Sequence, residues 1–571
     1  MEENETNKLK VYSYSPFGYE GTIVTLETDL RRGIPAVDIV GIADSTVNES
    51  RERILAAFRN SGIDFPAERV LMSASPADLR KDTPLDLAMA LSIISEQNHL
   101  EGKPVLALGE LELSGKIRPV RASHAAATTA ASAGITDIIC DKTTAENLKD
   151  IPGINVFACN NLNEAAETMK TRENAIQNEP KITSSKQVEF NEECWENPNT
   201  LKNNINLNGY FDAARAIEIA VAGKLNILQT GAPSCGKTLL MTNLIPALTP
   251  QLTEAESIPV KRIYSLAGID SSKKNRQAPF RMPHQTATIE GICGGGTKCL
   301  PGEISLAHNG TLFLDEAAEF KSSVLQMLRV PIETKSITLS RAGRSTIYPA
   351  NFQLAMAMNP CPCGNFHSPS RICLDSAKSI ELYWKKVSDP LLDRIQIKNF
   401  VQQDENDNRK ITPGEMREHV KNAYEIQRKR GIYNGNLNLN EINEYCKLSK
   451  ESIDYFKRLE ETKTPCEKKS LLQISLTIAN MDGREEIRLN DLQEANELCS
   501  PLFKKPGRFK YYPVVSEEKE KPIQVSEPVL KAFSTQKETA NPKEQKKEEK
   551  HQEEPLEKPV RKKKKSYEME R

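Results

Sequence analysis

Leu225-Asn-Ile-Leu-Gln-Thr-Gly231-Ala-Pro-Ser-Cys-Gly-Lys237-Thr238-Leu-Leu240 is the stretch that decides how the rest of the chain is read. Its opening apolar run, residues 225–228, predicts a buried strand, and an apolar helical pattern follows Thr238. Between them stands Gly-x-x-x-x-Gly-Lys-Thr, in the strand–loop–helix setting that this pattern requires. Glycines there let backbone N–H groups wrap phosphate oxygens, and the helix that follows points its positive end at them. Lys237 is placed to reach β- and γ-phosphates and Thr238 to hold Mg²⁺. Gly231, Ala232, Pro233, Ser234, Cys235, Gly236, Lys237, Thr238 and Leu239 are therefore the expected contacts of a nucleoside triphosphate, with ATP the natural choice. A chance glycine-rich turn before a helix is the competing reading, and the flanking strand and helix argue against it.

At 571 residues the chain has room for about three or four domains. A net charge of −1 gives no overall bias toward nucleic acid or anionic membrane, so any basic surface must be local. The longest apolar runs, such as residues 85–94, are about half of what a membrane span needs. The opening MEENETNKLK is acidic and polar, unlike a signal peptide. Twelve cysteines in so long a chain do not make a disulfide scaffold; they predict thiols or metal ligands in a reducing compartment, the cytoplasm.

Residues 9–170 alternate strand-like and helix-like patterns. Strands are expected at 22–28, 36–41 and 70–74, helices at 47–60, through 85–91 and at 123–133, the last ended by Gly134. Residues 104–120 read as one hairpin turning at Ser114-Gly115. The pattern implies an α+β domain with helices on one face of a mixed sheet. Residues 171–206 are polar and without periodicity, a linker. An amphipathic helix over 213–223 leads into the phosphate loop, and residues 207–401 form a second unit. Thr311-Leu-Phe-Leu-Asp315-Glu316 is a strand ending in two carboxylates, which an α/β sheet places at its ligand-binding edge. Asp315 suits Mg²⁺, and Glu316 suits orienting and deprotonating a water. Residues 352–359 form another strand, ending in Asn359. Ser336 to Tyr348 reads as a hairpin with Ala342-Gly343 near its turn and Arg341 and Arg344 at the tip. Residues 411–505 are helical. From 516 to 571 the chain is Glu-, Lys- and Pro-rich, a composition that cannot order itself.

These motifs resemble the Mg-chelatase-like AAA+ ATPases of the YifB/ComM type over about residues 9–505. The first unit carries the likeness in Ser75-Pro-Ala-Asp-Leu-Arg-Lys-Asp-Thr-Pro-Leu-Asp-Leu and Gly109-Glu-Leu-Glu-Leu-Ser-Gly-Lys-Ile-Arg-Pro-Val. What the resemblance implies there is a Lon-protease-like α+β domain, in which His124 takes the place of the catalytic lysine. The loop that would hold the nucleophile is shortened around Thr83-Pro84-Leu85. Ser123 and His124 are neighbours on a helix and face different ways, so no protease is expected. The second unit, by the same likeness, is a P-loop AAA+ core with a helix-2 insert over 278–310. There Asn359 matches sensor 1, and Ser388-Asp-Pro-Leu-Leu-Asp-Arg394-Ile matches the motif whose arginine serves the ATP of a neighbouring subunit, implying a homo-oligomeric ring, a hexamer. Hairpins such as 336–348 grip nucleic-acid backbone in related ring helicases, making Lys298, Arg341 and Arg344 candidate phosphate contacts.

The likeness also carries departures. The family often has two Cys-x-Cys pairs where this chain has Cys361-Pro-Cys363 and Cys373-Leu-Asp375, with His367 nearby. Three thiolates and a carboxylate or imidazole remain a possible Zn²⁺ set, and reduced loop cysteines are the alternative. In the helical lid the sensor-2 arginine position falls on Cys466, followed by Lys468 and Lys469, which lack arginine's planar fork. The resemblance implies an ATP-hydrolysing DNA motor, of the kind that migrates branches in recombination during natural transformation. A metal-chelatase-type ATPase subunit and a nucleotide-gated scaffold with weak turnover are the rival expectations.

Overall fold

The computed structural model describes residues 8–40, 44–76, 83–172, 175–177, 207–269, 276–341, 344–366, 371–404, 406–407, 409, 411–460 and 462–499. Residues 77–82, most of the expected linker, Ala342-Gly343, His367 and the tail at 516–571 lie outside these.

An eight-stranded sheet organises the first unit. Its elements in order are β1 (Val11–Ser15), β2 (Thr22–Arg31), β3 (Ala36–Val40), α1 (Asp44–Ser61), β4 (Arg69–Ser75), α2 (Asp86–Gln97) and β5 (Val105–Leu108). Then come β6 (Glu110–Leu111), β7 (Ile117–Arg118), α3 (Ser123–Ser132), β8 (Asp137–Cys140), α4 (Lys142–Leu148), β9 (Asn155–Ala158), α5 (Leu162–Thr171) and β10 (Ile176–Gln177). The strand order is β10-β9-β8-β5-β1-β2-β4-β3, with parallel and antiparallel pairs. On β4, Val70, Met72 and Ala74 are buried in alternation, the period of a strand with one covered face. Helix α2, apolar almost all round, is buried from Asp86 to Ser95.

Four expectations need correction here. Helices cover both faces of the first sheet, not one: α3 and α4 pack with Leu106, Leu108, Ile138 and Cys140, and α1, α2 and α5 with Val105, Ala107 and Ile139. Residues 104–120 are not one hairpin: β5 is buried on both faces and enters the main sheet parallel to β1 and β8, as an uninterrupted apolar strand prefers. Only β6 and β7 pair as a hairpin, with Gly115 at φ +81° between them. The polar stretch after residue 170 is not all linker, because Arg172 pairs with Asp137 and β10 extends the sheet beside β9. Two residues of strand are too few to show a period. The helix before the phosphate loop, α6 (Phe211–Gly223), is not amphipathic in its setting: it is buried continuously from Ala216 to Gly223, because helices cover it on several sides.

The second unit is a five-stranded, all-parallel sheet in the order β12-β15-β18-β11-β19. Along the chain it runs β11 (Ile227–Thr230), α7 (Lys237–Leu248), α8 (Glu254–Ala267), β12 (Phe280–Arg281), α9 (Ile289–Cys293), β13 (Gly294–Gly295), β14 (Leu300–Pro301) and α10 (Glu303–Leu306). It continues with β15 (Thr311–Leu314), α11 (Ser322–Met327), α12 (Arg329–Thr334), β16 (Ser336–Arg341), β17 (Arg344–Pro349), β18 (Gln353–Met358), α13 (Ala377–Lys385), α14 (Asp389–Leu392) and β19 (Ile397–Phe400). Strands β11, β15 and β18 are buried throughout, as parallel strands covered on both faces must be.

Five helices follow: α15 (Pro413–Arg430), α16 (Leu439–Tyr445), α17 (Lys450–Glu460), α18 (Pro465–Met481) and α19 (Leu489–Cys499). Thr412-Pro-Gly-Glu415 and Thr464-Pro-Cys-Glu467 start α15 and α18 with capping boxes, each satisfying backbone N–H groups that a helix start leaves open. Among the described residues no helix is long and apolar enough to cross a membrane.

Candidate nucleotide site

Strands β11, β18 and β15 lie side by side, with Thr230 opposite Met358 and Leu314 two rungs along, opposite Met356. Their C-terminal ends therefore deliver Gly231, Asn359 and Asp315 to one sheet edge, the ligand-binding edge of such a sheet. Lys237 opens α7 behind Gly236, whose φ is +86°. Its Nζ donates to the carbonyls of Gly231 and Ala232, both at 2.8 Å, and to Asn359 Oδ1 at 3.3 Å. Burial pulls the amine below its ordinary value, against the opposing pull of Cys235, Asp315 and Glu316. Thr238 Oγ1 donates toward both Asp315 oxygens, at 3.0 and 3.1 Å. A hydroxyl facing a carboxylate is the oxygen donor set a hard divalent cation takes, so the residues fit Mg²⁺. Asp315 Oδ1 also accepts from the Glu316 N–H at 3.0 Å. Glu316 itself sits at φ +49°, and its carboxylate accepts from the Gln285 amide.

Sequence reasoning missed two partners of this cluster. Gln285 lies in the insert region, and nothing in its spacing says that it meets Glu316. Gly364 stands at φ +76°, and a Cβ there would come within 2.5 Å of the Pro233 ring. The loop after Asn359 thus seats directly on the phosphate loop, a contact that only the fold reveals.

Arg394 follows α14. Its Nη2 meets Glu333 at 2.6 Å and its Nη1 donates to the Pro390 carbonyl. Its own chain holds it there; none of these bonds joins it to Lys237, Asp315 or Glu316.

The cysteine loop does come together: Cys361, Cys363, Cys373 and Asp375 offer ligand atoms within 4.8 Å of one another. The thiol separations are 3.4, 3.6 and 3.6 Å. Thiolates about 2.3 Å from a tetrahedral Zn²⁺ stand about 3.8 Å apart, so the set fits that ion closely. Asp375 Oδ2 also accepts from the Cys363 N–H at 2.9 Å.

Strands β16 and β17 pair antiparallel with Arg341 opposite Arg344, so the expected hairpin forms and both arginines stand at its last described rung. Lys298 lies between β13 and β14, beside Tyr348 of β17 and not at that rung. With Arg121 and Glu110 it lines a cleft of about 440 Å³ where the first unit meets the second. His124 is buried in α3, and neither ring nitrogen has a hydrogen-bond partner. Burial, with Lys261 and Arg262 nearby, drives its pKa down to about 3. Ser123 is buried beside it, and the Thr83 hydroxyl bonds Ser15 at 2.9 Å. Cys466 is exposed in the first turn of α18, with Lys468 and Lys469 after it.

Family comparisons cover all these regions. The family described as "Magnesium chelatase, subunit ChlI" matches residues 205–409, "Subunit ChlI of Mg-chelatase" matches 26–144, and "Magnesium chelatase, subunit ChlI C-terminal" matches 411–498. Competence protein ComM of Haemophilus influenzae is 33% identical over 503 residues, 85% of this chain and 96% of that protein. The uncharacterized protein YifB of Escherichia coli is 32% identical over 504 residues, again 85% of this chain and 96% of its own length. An uncharacterized protein of Mycobacterium tuberculosis is 34% identical over 399 residues, 68% of this chain and 76% of its own. This chain belongs to the YifB/ComM-type Mg-chelatase-like family. The family's ATPase units are of the AAA+ class, built to use ATP with Mg²⁺ and typically assembled as oligomeric rings. The mixed α/β architecture, with its parallel sheet and many helices, agrees with that class.

Proposed function

We propose that this YifB/ComM-type protein is an ATP-driven ring motor acting on DNA. The observation that carries the reading is the convergence of Lys237, Thr238, Asp315 and Asn359 on one sheet edge, with Glu316 next to Asp315. Lys237 exchanges the loop carbonyls it now holds for phosphate oxygens, which supply more charge. Glu316 takes a proton from the attacking water, and Asn359 orients that water or the γ-phosphate. Thr238 and Asp315 would hold Mg²⁺, which would supply positive charge against the phosphates. Arg394, released from Glu333, serves the ATP of the next subunit in a hexameric ring. The first unit is a Lon-like domain, and residues 278–310 are a helix-2 insert. The hairpin of β16 and β17, with Arg341 and Arg344, meets nucleic-acid phosphates, and the likeness to a competence protein favours DNA as the partner. Cys361, Cys363, Cys373 and Asp375 hold Zn²⁺ as a structural ion, fixing the loop that follows Asn359.

Steady-state ATP hydrolysis, with and without single-stranded or branched DNA, tests this reading. DNA should stimulate turnover severalfold, and Glu316→Gln should lose about 10²–10⁴ of the rate, the ordinary contribution of a general base. Turnover that ignores DNA would favour the chelatase-type role that the family name carries.

A further inference from the structure

The hairpin of β16 and β17 forms a two-stranded sheet of its own. A free hairpin of that kind is marginal in water, so whatever covers it governs its shape. Its described strand residues alternate: Ile337, Leu339, Thr346 and Tyr348 are buried, while Thr338, Ser340, Ser345 and Ile347 are exposed. Part of the cover on the buried side comes from the first unit. The turn between β1 and β2, residues 16–21, reaches across to β17. There the Tyr19 N–H donates to Thr346 Oγ1 at 2.9 Å, and the Tyr19 ring meets Tyr348 edge-on with centroids 5.7 Å apart. Gly18 has φ +57°, and a Cβ there would lie 2.1 Å from Thr346 Oγ1. Only bare backbone fits so close. Thr346 pairs with Leu339, two residues from the Arg341–Arg344 rung. The turn therefore holds β17 along its length, from Tyr348 one rung above the root to Thr346 two rungs short of Arg344.

Arg262 of α8 locks the same turn from its other side. Its Nε donates to the Tyr19 carbonyl at 3.0 Å and its Nη1 to Thr128 Oγ1 at 2.9 Å. Its Nη2 donates to the Glu20 carbonyl at 3.1 Å, to Thr129 Oγ1 at 2.9 Å and to the Glu20 carboxylate at 3.3 Å. The guanidinium also lies 4.6 Å from the Tyr19 ring centre. A guanidinium this deeply buried, 9% exposed, is tolerated because its donors find acceptors. Those acceptors all belong to the first unit. The segment is thus gripped by α8 of the ATPase unit on one side while it grips the hairpin on the other.

We infer that residues 16–21 are a brace by which the first unit sets the position of the β16–β17 hairpin, with Arg262 and Thr346 as positioning residues. The inference gives the first unit a role, and it rests on the reading that this hairpin meets nucleic acid. In a moving ring the hairpin cannot shift relative to α8 without breaking the Tyr19 contacts, so hairpin and first unit travel together.

Amide hydrogen exchange on the full-length chain without DNA tests the brace directly. Thr346→Val removes the acceptor and keeps the shape; Arg262→Lys keeps the charge and loses the fork. Exchange of the hairpin amides should rise about tenfold or more in each variant, while β11, β15 and β18 stay protected. Basal ATP turnover should be unchanged, and the DNA concentration for half-maximal stimulation should rise severalfold. Hairpin protection equal to wild type in Thr346→Val overturns the brace, even if Arg262→Lys fails to fold. Loosened hairpins combined with no DNA stimulation of the wild type would uphold the brace and sink the nucleic-acid reading.

Discussion

Cys361 is fully buried and Cys363 exposed, yet their sulfurs stand 3.4 Å apart. Two residues before the first of them is Asn359, and one residue after the second is Gly364, seated on Pro233 of the phosphate loop. A metal at this knot would therefore hold both Asn359 and the Gly231–Thr238 loop. Cys361→Ser removes the most buried thiol. Metal analysis should then fall from about one zinc per chain to background, and ATP affinity should weaken severalfold as the Gly364 contact loosens. Wild-type protein purified without chelator and found free of zinc would remove the assignment. The family likeness pointed to Cys361, Cys363 and Cys373 and left Asp375 and His367 both open beside them; among the described residues Asp375 joins the thiols. Lys237, Thr238, Asp315 and Glu316 were legible because Gly-x-x-x-x-Gly-Lys-Thr and a strand ending in two acids carry their chemistry in local spacing. Gln285 and Gly364 were not: their partners are set by how distant segments fold together, and no short pattern records that.

At the level of elements, a buried carboxylate of α6 joins it to α15, and the arginine beside that carboxylate reaches α19. Glu218 of α6 is wholly buried and accepts from Arg215 at 2.9 Å and from His419 Nδ1 of α15 at 2.7 Å. Arg215 reaches on to Glu494 of α19 at 2.8 Å. The bond to Glu218 raises the His419 pKa above its ordinary 6.5; burial and Arg215 oppose, while the Glu218 and Asp482 charges assist. A raised native pKa means that the protonated pair stabilises fully below the unfolded value and fades as pH climbs through the native one. Thermal melting should thus come about 1–3 °C lower at pH 8 than at pH 6 through this contact. The gain is small because the imidazole is 38% exposed and screened. His419→Gln should flatten that dependence; an unchanged pH profile in the variant would exclude the pair as its source. The helix over 213–223 was readable from its pattern, while the capping boxes at Thr412 and Thr464 went unread. What periodicity could not show was that α6 lies buried between other helices, or that β5 leaves its apparent hairpin for a sheet partner far away in sequence. Burial on the far side of an element is a property of its neighbours.

For the molecule as a whole, the position of Arg394 matters most. Within one chain it pairs with Glu333 and caps its own turn, so a catalytic part for it requires a second copy. A ring in which each ATP lies between one subunit's Lys237 and the next subunit's Arg394 has a consequence that single chains cannot mimic. Lys237→Ala and Arg394→Ala proteins should each be inactive alone. Mixed, they place an intact phosphate loop beside an intact arginine at some interfaces, so activity should return to about a quarter of wild type under random closed-ring assembly. The recovery should depend on total protein concentration, since it follows from subunit exchange. Residual turnover near wild type in Arg394→Ala alone would leave the arginine a structural partner of Glu333. A dead mixture would mean that Arg394 acts within its own chain or that subunits do not exchange. Incubating the two variants with labelled chains separates those cases: if labelled subunits are seen to mix and activity still fails to return, the shared site is wrong.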